Sequence, residues 1–147
     1  MIRKFELADG EKVSALIQNT LMISNSSDYD ISTIRTLSKI FAPHILKALS
    51  ARREIYVYEH GGSLYGTISL EDDRAYSFFV VPDRQGTGVG RALLRHIEKR
   101  ARKTGQKCLN VASSLTAVDF YRRMGYTKIG EKEDDGYGRT ITMTKVL

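Results

Sequence analysis

Val80-Val81-Pro82-Asp83-Arg84-Gln85-Gly86-Thr87-Gly88-Val89-Gly90-Arg91-Ala92-Leu93-Leu94 reads as a strand end, a phosphate-holding loop and the start of a helix. The run Ser77 to Val81 is apolar, aromatic and β-branched. Pro82 ends it, because proline cannot donate to a strand ladder, and a helical apolar pattern begins at Val89. Glycines at the alternate positions 86, 88 and 90 let the backbone fold back tightly and leave the unpaired amides of a first helical turn open to a ligand. Such a terminus suits phosphate.

Two common glycine-rich loops do not fit. A nucleotide-binding P-loop needs a lysine and a hydroxyl residue directly after its glycines, and neither is present. A dinucleotide fingerprint counted from Gly86 would place its third glycine at Arg91, and no Asp or Glu occurs between Glu98 and Asp119 to hold a ribose. The order Gln85-Gly86-Thr87-Gly88-Val89-Gly90, preceded by Val80-Val81-Pro82 and followed by Arg91-Ala92-Leu93-Leu94, instead resembles motif A of the GNAT superfamily of acyl-CoA-dependent N-acetyltransferases. A second stretch, Ala117-x-x-Phe120-Tyr121-x-x-Met124-Gly125-Tyr126, resembles that family's other signature, in the expected order and spacing. Together the two cover roughly Ile55 to Tyr126.

The 147 residues suit one domain, 1–147, with a single sizeable core. Hydrophobic residues make up 41% and charged ones 27%, an ordinary globular balance without repeats or low-complexity tracts. The N-terminal Met1-Ile2-Arg3-Lys4-Phe5-Glu6 has no apolar signal-peptide core, and no run reaches membrane-spanning length, so a soluble cytoplasmic protein with no membrane partner is expected. Cys108 is expected to be a buried strand residue. Between Arg84 and Lys103, seven basic residues face one acid, which equals the whole net charge of +6. Four of the seven fall where cations complement the carbonyl end of a helix. Arg84 and Arg91 flank the glycines and could meet the phosphates of coenzyme A.

In chain order, Ile2 to Leu7 reads as a strand, and Asp9 as the cap of a helix carrying Val13, Leu16 and Ile17. Ser24 to Asp30 is turn-like. Helices follow through Ile31, Ile34, Leu37, Ile40 and Phe41, and again from Pro43. Ile55 to Glu59 and Leu64 to Leu70 form a hairpin about His60-Gly61-Gly62-Ser63, and Arg74 to Val81 makes the next strand. The helix from Gly88 ends at Gly105, and Lys107 to Val111 should lie parallel and adjacent to the strand of Phe79 through a right-handed crossover. Thr116 and Asp119 have capping-box spacing before a helix that Gly125 closes. Tyr126 to Lys132 and Arg139 to Val146 flank a turn at Asp134-Asp135-Gly136. The expected fold class is α/β (α+β), a mixed and mostly antiparallel sheet of about seven strands flanked by helices.

The resemblance implies that the strands of Phe79 and Leu109 splay, with the pantetheine arm of acetyl-CoA lying between them, and that the helices between about Leu21 and Ser50 form one wall of the acceptor pocket. It assigns cofactor binding to backbone near a bulge at Phe79 and Val80, to the loop Gln85, Gly86, Thr87, Gly88, Val89, Gly90 and Arg91, and to Ser114. Serine at that last position departs from the asparagine many members carry, and offers one hydroxyl in place of a two-sided amide. Tyr121 matches the family's catalytic tyrosine. A phenol with a pKa near 10 suits protonation of a departing thiolate, although a tyrosine on a helix is commonly just a core aromatic with a wet hydroxyl.

No acid lies within Arg74 to Val81 or Lys107 to Val111, which leaves a general base to Glu71, Asp72 or Asp73, or to water held by backbone carbonyls. His44, His60 and His96 are scattered, so no metal is expected. Tyr56, Tyr58, Tyr65 and Tyr76 lie on strands, where about half should face the core and half the acceptor site.

The resemblance therefore implies an acetyl-CoA-dependent N-acetyltransferase acting on a primary amine of a small molecule or peptide, by direct attack through a tetrahedral intermediate. A homodimer is compatible with it. A catalytically weak acyl-CoA sensor and, with less support, a nucleic-acid-binding module using the basic helix are the rival readings.

Overall fold

The computed structural model describes residues 1–134 and 138–147. Its strands are β1 (Ile2–Lys4), β2 (Glu54–His60), β3 (Ser63–Glu71), β4 (Arg74–Val80), β5 (Cys108–Ser113), β6 (Thr127–Asp134) and β7 (Gly138–Val146). The helices are α1 (Gly10–Thr20), α2 (Ile31–Lys39), α3 (Pro43–Leu49), α4 (Val89–Lys103) and α5 (Val118–Arg123). One sheet runs in the order β1-β2-β3-β4-β5-β7-β6, antiparallel throughout except for the β4–β5 pair. The expected α/β sandwich of helices about a mixed sheet is therefore what the chain forms. No helix among the described residues is long and apolar enough to cross a membrane.

Each face of the sheet has its own core. On one side α4 buries Val89, Leu93, Leu94, Ile97 and Ala101 against Ile68, Leu70, Leu109 and Met143, joined by Tyr121 and Tyr126. On the other, Val13, Leu16 and Ile17 of α1 pack with Ile34, Leu46 and Val57. The apolar stripe at helical spacing predicts the α4 contact, and Gly66 sets its closeness. A Cβ at residue 66 would stand 2.8 Å from Leu93 Cδ1 and 2.9 Å from the Phe79 carbonyl, so α4 approaches β3 over a bare backbone.

Several expectations change in detail. The first strand stops at Lys4 and gives way to a 3-10 turn, Leu7–Asp9. Asp9 stands at the N-cap position of α1 as expected, but its side chain makes no capping hydrogen bond there. Its carboxylate accepts two hydrogen bonds from Arg3, at 2.8 and 3.0 Å, and one from the Glu6 amide at 2.8 Å. The expected turn after α1 begins with a π-helical turn, Leu21–Asn25. Thr116 does not open a capping box, because its hydroxyl donates to Asp28 and α5 starts after a separate 3-10 turn, Leu115–Ala117. Cys108 is only half-buried. Asp135 and Gly136 of the expected β6–β7 turn lie outside the described residues.

Candidate active site

The site begins with one extra residue in β4. Thr67 of β3 pairs with Phe79 and Ser69 with Tyr76, so Ile68 faces both Ser77 and Phe78. Ser77 sits at φ 50°, the left-handed region that a non-glycine residue enters at a cost of order 1–3 kcal/mol. The bulge shifts the alternation of side chains. Phe78 and Val80 join the α4-side core, while Phe79 and Val81 join the opposite one.

A bulge bends and twists its strand, and here β4 and β5 pair only at Arg74↔Asn110 and Ala75↔Val111. β5 stays bound to β7 out to Ser113, and β4 stays bound to β3 out to Val80. The two strand ends therefore diverge into the expected cleft. The Val81 amide donates to the Tyr65 carbonyl at 2.9 Å, which makes the neighbouring Val80–Gly66 pair the non-bonded kind and turns Val80's N–H and C=O toward the cleft. The carbonyl accepts from Gln85 Nε2 at 3.0 Å. The amide lacks a ladder partner among the described residues.

The glycine loop closes one end of the opening. After a 3-10 turn at Pro82–Arg84, Gly86 (φ 75°) and Gly88 (φ 98°) both take left-handed backbone, with open space around the place a Cβ would occupy. Gly88 is the N-cap of α4, and its carbonyl accepts the first intrahelical bond from Ala92 at 3.0 Å. The amides of Val89, Gly90 and Arg91 consequently point out of the helix end. Gln85 also donates to Ser24 Oγ at 2.9 Å, and Thr87 donates its hydroxyl to the Arg84 carbonyl. Arg84 lies 4.4 Å over the Tyr65 ring. Arg91 is exposed and without an ion-pair partner among the described residues, whereas Arg100 is paired with Glu54 at 2.8 Å.

Tyr121 arrives from α5. Its ring is buried and meets Phe78 at 6.1 Å, Phe120 at 5.6 Å and Tyr126 at 5.5 Å, all edge to face. Its hydroxyl makes no hydrogen bond among the described residues, and burial pushes its pKa up. A Cβ on Gly90 would stand 3.5 Å from Phe78 and 3.6 Å from Phe120. Tyr121, the β4 bulge and the first turn of α4 are thus brought together by one aromatic cluster. Ser114 is half-buried at the end of β5. Its carbonyl accepts from the Ser113 hydroxyl at 2.8 Å, and its own hydroxyl lacks a partner among the described residues.

The acids considered as a base lie at the wrong end. Glu71, Asp72 and Asp73 precede β4, roughly 20 Å from the glycine loop at about 3.3 Å per strand residue. Glu71 is paired with Arg53 at 2.8 Å, and Asp73 accepts from Asn110 Nδ2 at 3.1 Å. The tyrosines do not divide as expected either. Tyr56, Tyr58 and Tyr65 all pack on the α4-side core, and Tyr76 lies under the Arg53 guanidinium at 3.8 Å. No group of three or more His, Cys, Asp or Glu is placed to hold a metal ion among the described residues.

Residues 24–29, which the sequence marks as turn-like, bond to Gln85 through Ser24 and to Leu115 and Thr116 through Tyr29, Asn25 and Asp28. Their signal was only a polar stretch with one tyrosine.

A model of the acetyltransferase (GNAT) domain family matches residues 25–147. The chain is 38% identical over 73 residues to an amino-acid acetyltransferase of Ralstonia nicotianae, a match covering 46% of this chain and only 16% of that relative. In fold it is similar to a GCN5-related N-acetyltransferase from Rhodopseudomonas palustris, with TM-score 0.94 and 23% identity over 100% of this chain and 95% of the other. It is also similar to the PaiA N-acetyltransferase of Thermoplasma acidophilum, whose crystal structure contains coenzyme A, with TM-score 0.84 and 19% identity over 100% and 98% of the two chains. With its glycine loop, splayed strands and matching family model, the chain belongs to the GNAT acetyltransferase family.

Proposed function

We propose that the protein transfers an acetyl group from acetyl-CoA to a primary amine of a small molecule or peptide. The observation that carries this reading is the meeting of three features at one place: a parallel strand pair that opens after Ala75, an uncapped helix end at its mouth, and a buried phenol on the bulge residue Phe78. The loop fits a pyrophosphate. Its two left-handed glycines leave the approach to the amides of Val89, Gly90 and Arg91 clear of side chains, and Arg91 adds a free positive charge.

Acetyl-CoA, when bound, supplies an acetyl thioester; this chain's residues do the rest. The outward N–H of Val80 is a fixed donor for an oxygen that gains negative charge as an amine attacks, an arrangement that needs no reorganisation during reaction. As the carbon–sulfur bond breaks, the Tyr121 hydroxyl gives its proton to the leaving sulfur and recovers one from solvent. Burial keeps this phenol protonated at neutral pH, ready to act as donor. The amine enters as its free base and sheds its surplus proton to water, since the carboxylates at the start of β4 are remote.

A thiol-release assay over polyamines, amino acids, aminoglycosides and peptides tests the reading. Free coenzyme A thiol should appear one for one with acetylated acceptor. Tight coenzyme A binding without acceptor-dependent release would convert the protein to an acyl-CoA sensor. Binding of DNA or RNA that acetyl-CoA does not displace would favour the basic helix, although the pairing of Arg100 with Glu54 already weakens that face.

A further inference from the structure

Arg74 begins β4 at the closed end of the cleft, where Arg74↔Asn110 and Ala75↔Val111 pair before the strands part. Ala75 belongs to the α4-side core, so its neighbours Arg74 and Tyr76 point to the opposite face of the sheet. There the Arg74 guanidinium lies 5.4 Å from the centre of the Tyr76 ring, and the Arg53 guanidinium 3.8 Å from it.

The two cations differ in their partners. Arg53 donates to Glu71 at 2.8 Å. Arg74 makes no side-chain hydrogen bond or ion pair among the described residues, and its Nε is buried without a partner. The nearby acids do not serve it. Glu71 stands between Arg52 and Arg53, Asp73 accepts from Asn110 Nδ2 at 3.1 Å, and Asp72 is exposed at the turn. A buried donor that also carries charge is costly to leave unmet, and the group that satisfies it is an anion.

Arg74 stands on the face of the cleft that is open. On the α4 side the rings of Phe78, Phe120 and Tyr121 pack together, and Leu109 and Val111 of β5 are buried. On the other side Asn110 is half-buried and Ala112 exposed. An amine that attacks beside the Val80 amide therefore comes over this face, with Arg74 at the foot of the same cleft.

Charge and length then narrow the acceptor. A polyamine or aminoglycoside brings further cations that call for carboxylates, and neither β4 nor β5 carries one. One unpaired guanidinium instead matches a monoanion with two coplanar oxygens, a carboxylate. Tyr76 and Val80 face Ser69 and Gly66, three residues apart on β3, so roughly 10 Å separates the ring beside Arg74 from the reacting position at 3.3 Å per strand residue. That span is too long for an α-amino group and its own carboxylate. It suits an amine at the far end of a chain.

We propose that Arg74 binds the carboxylate of the acceptor, and that the acceptor carries its amine a chain's length from that carboxylate, as an ω-amino acid or a short peptide does. This rests on the acetyl-transfer reading above and narrows it.

The test measures thiol release with ε-aminocaproate and its amide, and with triglycine and its amide, so that each pair differs only in the carboxylate. The pair that shows the preference tells a free ω-amino acid from a peptide. In wild type, kcat/KM for the acid of at least one pair should exceed that for its amide by about tenfold or more, as expected of one charge-assisted pair. In Arg74→Gln the two should come within about twofold of each other with the coenzyme A dissociation constant unchanged, while Arg74→Lys, which keeps the charge but not the fork, should retain part of the preference. A direct readout needs no turnover: the Arg74 Nε–H signal in NMR spectra should shift saturably with hexanoate, a carboxylate without an amine. Equal use of acid and amide in both pairs, a preference that survives in folded Arg74→Gln, or a preference without any Nε–H shift overturns the role of Arg74 and leaves acetyl transfer standing. Should Arg74→Gln not fold, the lysine variant and the titration decide the same question. No thiol release from wild type with any amine, beside a saturating hexanoate shift, sinks the acetyl-transfer reading and the acceptor role with it; Arg74 would then be an anion site alone.

Discussion

The Tyr126 hydroxyl donates to Glu98 Oε2 at 2.8 Å, and both side chains are buried, at 2% and 3% exposure. Lys145 Nζ completes the group at 3.2 and 3.1 Å from the two carboxylate oxygens. The bonds tie α4 to β7 and to the turn that follows α5, one residue of which packs on Tyr121 at 5.5 Å. Burial, with Glu98 as acceptor, drives the Tyr126 pKa upward and keeps its proton in the bond.

Removing the cation should therefore cost more than removing the phenol. Lys145→Met leaves a buried carboxylate without its counter-charge, a loss of about 3–5 kcal/mol. Tyr126→Phe leaves Glu98 paired and costs about 1–3 kcal/mol. Urea denaturation of the two variants ranks them, and a smaller loss for Lys145→Met would show that charge pairing does not hold Glu98 in place.

At the glycine loop, binding and folding can be separated. Gly88 has open space about its Cβ position, so the obstacle to a side chain there is its φ of 98°. Asparagine tolerates left-handed backbone better than most residues. Gly88→Asn should fold close to wild type, yet weaken coenzyme A binding at least about tenfold by obstructing the approach to the helix amides. Calorimetry giving unchanged affinity would remove the loop from the site. Arg91→Ala should weaken binding and flatten its salt dependence, while Arg100→Ala, already paired with Glu54, should do neither.

Asp9 provides a test in acid. Its carboxyl is held below the usual carboxylate value, first by the hydrogen bonds from Arg3 and further by the Glu6 amide, against the opposing effect of burial. A depressed folded pKa stabilises the protein above the unfolded value of about 3.9, and the contribution fades as pH falls through the folded value. The melting-temperature gap between wild type and Asp9→Asn should thus be full at pH 7 and narrow below about pH 4. A constant gap down to pH 2.5 would mean that the Arg3 pair contributes nothing through ionisation.

The fold was legible where local chemistry repeats. The Gly61-Gly62 hairpin, the α4 stripe from Val89 to Ala101 and the Gly105 stop each announce an element within a few residues. The partners of polar side chains were not legible, because they are settled by residues distant in the chain. Asp9 reads as a cap until Arg3 takes its carboxylate, and Thr116 as a capping box until Asp28 takes its hydroxyl. The bulge at Ser77 and Phe78 was a permitted feature only, since no residue there demands left-handed backbone. The partners of Tyr29 were hidden for the same reason as those of the caps: its hydroxyl bonds to residues 86 and 110 positions away.

Tyr121 carries the sharpest prediction because its two roles come apart in a single substitution. Tyr121→Phe keeps the ring that meets Phe78, Phe120 and Tyr126. The hydroxyl it deletes has no hydrogen-bond partner among the described residues, so stability should stay within about 0.5 kcal/mol of wild type. If that hydroxyl protonates the leaving sulfur, kcat should fall by about 10²- to 10⁴-fold, with coenzyme A affinity unchanged. Acceptors should all be affected alike, because every one of them releases the same thiol. Near-normal turnover in a well-folded variant would make Tyr121 a core aromatic only. A loss of cofactor affinity in proportion to the loss of rate would recast it as a binding residue, and an effect confined to one acceptor would place its hydroxyl on the amine side of the cleft.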